Sequence, residues 1–161
     1  MNRLQNKNIL NLILYFSIFS ISFAYYVEFV LNHIPCNLCL LERIPYFLTI
    51  IVIVTLLIIK KFEKFIFLIL SVIFVASTIL SIYHVGIEQG LIKESPICGA
   101  NSGVNILDKE LLLEELKKNT VSCKNVTFSI LGFSLATINT FVSLGISLIT
   151  AKIFYYYEKK Q

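Results

Sequence analysis

Charge is scarce in this sequence. Only 15% of its 161 residues are Asp, Glu, Lys or Arg, against about a quarter in ordinary soluble domains. Tryptophan is absent and methionine occurs once. No basic face exists either: the Lys and Arg stand at the ends of apolar runs, so the net charge of +4 does not point to nucleic acid. The other side of the balance excludes a soluble fold. Hydrophobic residues make up 57% of the chain, with mean hydropathy +0.79, more apolar surface than one core of this length can hide. The length allows one small domain, spanning 1–161. Lastly, no cysteine lies inside an apolar run. Cys36, Cys39, Cys98 and Cys123 all fall between them.

Four apolar runs are present, at about Ile9–Leu31, Ile44–Ile59, Phe65–Tyr83 and Phe128–Ala151. A hydrocarbon core of about 30 Å takes roughly 17–25 helical residues to cross. The second run is the shortest, and Arg43 and Lys60 at its ends can snorkel to the interfaces. In lipid each run must be helical, since an isolated strand leaves backbone groups unsatisfied. The abundant Ile and Val are therefore no argument for strands. The expected fold is an all-α membrane protein, a four-transmembrane-helix bundle.

Basic residues orient it. Arg3 and Lys7 precede the first span, Lys60, Lys61 and Lys64 fill the turn between the second and third, and Lys152, Lys159 and Lys160 follow the last. The loop at about 32–43 offers only Arg43, and the loop at about 84–127 has five Lys spread thinly. The positive-inside rule puts both termini in the cytoplasm and both cysteine loops outside. Tyr25, Tyr26, Tyr46 and Tyr83 near the outer ends, and Tyr155 to Tyr157 near the inner end, fit interfacial aromatics. Ser22-Phe23-Ala24 would suit a signal-peptidase site. The apolar run continues through Leu31, however, so the first span is expected to stay. In the long loop, Ile106–Lys118 reads as a short amphipathic helix, lying on the membrane surface or on the span tops.

Cys36-Asn-Leu-Cys39 is a C-x-x-C, suited to a redox dithiol or half a zinc site. Zinc would draw further ligands from Cys98, Cys123, His33 or His84. Cys98 and Cys123 have 24 residues between them, unlike the tight second pair of a zinc ribbon. An outward, oxidising compartment also favours disulfide over metal thiolate. The redox reading is preferred, and no metal is expected. Arg43 lies four residues after Cys39, where a helix start and a guanidinium would both favour thiolate; it also suits a plain interfacial anchor. Two pairs on separate loops suit a relay, a mobile pair meeting a soluble partner and a fixed pair taking its electrons.

The string Pro35-Cys-Asn-Leu-Cys-Leu-Leu-Glu-Arg43-Ile-Pro-Tyr resembles the signature of the bacterial DsbB disulfide oxidoreductases. The resemblance spans nearly the whole chain, through Tyr83-His84, Glu88-Gln89, the second-loop cysteines and Leu131-Gly132. It implies an inner-membrane protein that reoxidises a periplasmic DsbA-like thioredoxin-fold thiol oxidase and reduces a membrane quinone, ubiquinone or menaquinone. By the same analogy Cys98 meets the partner, Cys123 exchanges with Cys36, and Cys39 acts on the quinone. Arg43 would stabilise charge on the quinone oxygen, and His84 would be a second quinone contact. A quinone is needed energetically: a DsbA-type partner lies near about −120 mV and ordinary dithiols near about −180 to −270 mV. That deficit of about 60 mV costs roughly 2.8 kcal/mol for two electrons.

The absence of Trp departs from the family pattern, with Phe128 as a candidate substitute. Glu28 matches nothing in it; an ion pair with Arg43 and a simple interfacial position are both open. Two other classes compete. A vitamin K epoxide reductase-like protein also has a four-helix core, but its loop pair precedes its C-x-x-C, the reverse of the order here. A structural protein holding zinc on four thiols is the other.

Overall fold

A computed structural model describes residues 3–59, 63–93, 123, 129–130 and 132–159. Cys98 and the 106–118 segment lie outside the described residues. The elements run α1 (Arg3–Phe29), α2 (Asn37–Leu41), α3 (Ile44–Ile59), α4 (Glu63–Glu88), β1 (Ser129–Ile130), β2 (Phe133–Ser134) and α5 (Leu135–Lys159). Among the described residues four segments are long and apolar enough to cross a membrane: Lys7–Phe29, Asn37–Leu56, Lys64–Glu88 and Leu135–Lys159. The molecule is thus a four-helix membrane protein.

The helices extend past the hydropathy runs where backbone hydrogen bonding outlasts apolar character. Helix α4 continues beyond Tyr83 through His84 to Glu88, then closes on Gly90 at φ +72, with Leu91 and Ile92 donating to the Gly86 carbonyl. The second span starts early, in α2, because Cys36 caps it: its sulfur accepts the Cys39 amide at 3.3 Å. Pro45, inside the first turn of α3, has no N–H to carry the α2 ladder onward. The chain breaks there into two helices within one span. The fourth span is entered through a hairpin not expected from the sequence, with Ile130 opposite Phe133 and Gly132 at φ +86 in the turn.

Phe67, Leu70, Phe74 and Ile53 are fully buried at the centre of the bundle, with Leu10 and Ile13 of α1 closing over them. Outward faces are as apolar as the interior: Leu12, Ile51, Val72, Ile79 and Leu148 are exposed, as lipid contact requires. Helices α4 and α5 form the most extensive pairing. Their seam is built from hydroxyls, Ser77 and Ser143 meeting at 3.0 Å, with Ser147 and Thr150 buried below. Lipid supplies no hydrophobic drive between helices, so small polar residues that let backbones close up do that work. Thr78 and Thr150 satisfy their own hydroxyls on carbonyls one turn back.

Candidate functional site

The C-x-x-C lies where the loop after α1 turns into α2, at one end of the bundle. The Cys36 and Cys39 sulfurs are 2.9 Å apart and unbonded. Cys36 sits just before the second span. Its thiol is pulled well below the usual range, to about 4, first by the hydrogen bond from Cys39 and then by His84, against the opposing effect of burial. The pair thus carries one thiolate, and Cys36 holds it.

Histidine 84 approaches from α4. Its Nε2 lies 3.5 Å from the Cys36 sulfur, while Nδ1 meets Glu42 Oε1 at 2.8 Å. Glu42, at the α2 terminus, is held from α5, where Asn139 donates to its other oxygen at 3.0 Å and to Ser81 at 2.6 Å. Asn139 in turn accepts from Tyr46. Glu88 lies one turn beyond His84, its Oε1 3.8 Å from Nε2, and Ser134 donates to its other oxygen. Four elements, α2, α3, α4 and α5, therefore hold one buried polar network. Tyr46 belongs to this network and is buried, not at the interface where the sequence suggested it would lie.

Arg43 turns toward α1. Its Nη1 pairs with Glu28 at 2.6 Å, and its guanidinium lies 5.0 Å from the Tyr25 ring centroid. The ion-pair reading of Glu28 is the one the geometry adopts. Cys123 is buried in one cluster with Cys36, Leu38 and Ile87. A cavity of about 490 Å³ joins these parts, with Cys36, Cys39, Arg43, His84 and Cys123 in its wall. The rings of Phe16, Phe19 and Phe23 and the side chains of Leu135 and Val142 make its apolar side. Its size falls in the usual range for small-molecule sites, roughly 300–1,000 Å³.

Five of the six residues singled out from sequence thus share one cavity. Glu42, Glu88 and Asn139 were not among them. An ionisable or amide side chain within a membrane span is itself a functional signal, and it would have found Asn139; Glu42 and Glu88 stand outside the apolar runs of the sequence and fall within a span only in the folded helices.

The sequence profile of disulfide bond formation protein DsbB matches residues 6–153. The chain is also 30% identical over 154 residues to the uncharacterized protein RP370 of Rickettsia prowazekii (strain Madrid E), covering 92% of this chain and 88% of that one. No solved structure matches it.

Proposed function

The chain belongs to the DsbB family of disulfide bond formation proteins, membrane disulfide oxidoreductases, and from that premise we propose that it oxidises a periplasmic DsbA-like thiol oxidase and delivers the electrons to membrane quinone. The observation that carries this reading is the shared cavity, in which a thiolate-bearing dithiol and a guanidinium meet an apolar, ring-lined space. A flat apolar ring with polar oxygens at its edge fits such walls. Quinone, when bound, supplies a two-electron, two-proton acceptor.

The residues act in sequence. A partner thiolate attacks Cys98 of a Cys98–Cys123 disulfide, and the partner's second thiol releases it as a disulfide. The reduced Cys123 attacks Cys36 of the Cys36–Cys39 bond and displaces the Cys39 thiolate. Cys98 then closes on Cys123, leaving Cys36 and Cys39 reduced. Burial of Cys123 in one cluster with Cys36 supports this exchange. Two electrons leave through Cys39 while the Cys36 thiolate re-forms the bond between them. His84, fixed at Nδ1 by Glu42, offers Nε2 to carry the one proton the pair retains, the second proton for the acceptor coming from water. A guanidinium has five N–H donors, so the Arg43 pair with Glu28 leaves others for an acceptor oxygen. Both termini are cytoplasmic and both cysteine loops periplasmic, on the distribution of Lys and Arg.

Reconstitution tests the proposal. Purified protein, a reduced DsbA-like thioredoxin-fold protein and ubiquinone or menaquinone should give thiol oxidation matched by quinone loss. Cys39→Ala should abolish quinone reduction, and Cys98→Ala should block the partner step while quinone still binds. Full turnover by the Cys39→Ala protein would sink the mechanism.

A further inference from the structure

We propose that the reduced Cys36–Cys39 pair and His84 together form a binding site for a soft divalent cation such as Zn²⁺, which locks the protein in its dithiol state. The three donor atoms, two sulfurs and Nε2, lie within 4.8 Å of one another. Zinc bonds of about 2.3 Å to sulfur and about 2.0–2.1 Å to imidazole nitrogen set the spacing in a tetrahedron. They require roughly 3.5 Å between sulfur and nitrogen and roughly 3.8 Å between sulfurs. Cys36 Sγ and His84 Nε2 already stand 3.5 Å apart. The two sulfurs, at 2.9 Å, need to spread by slightly under about 1 Å, within reach of side-chain rotation.

The second observation is the orientation of the imidazole. Its Nδ1 is committed to Glu42, and that carboxylate is itself fixed by Asn139. Once Nε2 gives up its proton to an incoming cation, its lone pair faces the sulfurs, the carboxylate–histidine arrangement that metal sites use to fix tautomer and angle. Two thiolates neutralise the cation in a buried place. The fourth position falls toward Glu88, whose Oε1 is 3.8 Å from Nε2, or is left to water.

This site differs from a structural zinc centre on four thiols, because it needs neither Cys98 nor Cys123. It exists in one redox state only. In a disulfide the two sulfurs are about 2.05 Å apart and bonded to each other, and cannot serve as two thiolates. Binding releases the protons held on the Cys39 thiol and on His84 Nε2, and moves no electrons. Its consequence for turnover, inhibition that deepens when the acceptor is scarce and the dithiol accumulates, rests on the proposed thiol-to-quinone reading; the binding does not.

The test uses full-length protein in detergent, reduced with a non-chelating phosphine and desalted, then titrated with Co²⁺ and back-titrated with Zn²⁺. One Co²⁺ per chain is expected, with thiolate-to-metal charge transfer and the strong visible bands of tetrahedral coordination, both erased by Zn²⁺. Oxidised protein should show neither. Cys98→Ser should bind as the parent does. His84→Ala should weaken binding by about tenfold or more, and the gentler Glu42→Gln by about tenfold. Reduced protein without the charge-transfer band, or binding that survives oxidation or His84→Ala, overturns the inference. Thiol-to-quinone turnover without Co²⁺ binding rejects the metal site alone. Co²⁺ binding without any turnover rejects the redox reading alone.

Discussion

Arg43 and Glu28 show how one side chain can carry two duties. The pair is mostly buried, at 12% and 24% side-chain exposure, and ties α2 to α1 across the cavity rim. Arg43→Ala removes a cation from the cavity wall and also strands a carboxylate. Apparent KM for quinone should rise, and stability should fall, since an unpaired, largely buried charge is costly. Adding Glu28→Gln separates the effects: thermal stability should recover while KM stays high. Unchanged quinone kinetics in Arg43→Ala would leave it an anchor. Cys36 gives a second residue-scale expectation. Because its pKa is lowered to about 4, the ionised form persists as pH falls, where an ordinary thiol with pKa near about 8.5 is protonated. The thiolate ultraviolet absorbance lost in Cys36→Ala should therefore persist in the reduced parent down to about pH 5. A loss centred near pH 8 would show that the Cys39 and His84 contacts do not hold the charge.

The α4–α5 seam sets expectations at the scale of elements. Ser143 is fully buried against Ser77, so Ser143→Leu forces the helices apart and should cost about 1–3 kcal/mol. Leu148, 62% exposed on the same helix, faces outward, and Leu148→Ala should change the thermal midpoint little. Equal midpoints for the two variants would contradict this packing. The spans were legible in the sequence because lipid permits one answer to a long apolar run. The cysteine motif was legible because its spacing is local. The polar network was not: Glu42 and Asn139 are 97 residues apart, and only the packed bundle brings them together. Tyr46 was misplaced for a related reason. Its position suggested an interfacial ring, but Asn139 gives its hydroxyl a partner inside the bundle. The hairpin before α5 left no periodic signal, being two residues per strand.

For the whole molecule the first question is orientation. A reporter that fluoresces only in the cytoplasm, fused after Gln161, should be bright, and a maleimide that cannot cross membranes should label Cys98 in intact spheroplasts once an impermeant reductant has opened its disulfide. A dark reporter with unlabelled Cys98 would invert the topology and remove the periplasmic partner with it. The architecture also has a mechanical side. Helix α1 leans on α3, whereas α4 and α5 are joined along a seam of small hydroxyl residues. Pulled by its ends in a bilayer, the chain has one strong couple and one weak member, and the first helix should peel away before the last two part. The cavity lies between that detachable helix and the durable couple. Its wall of phenylalanines rides on that first helix, so whatever loosens α1 from α3 also widens the way from the lipid to the sulfurs.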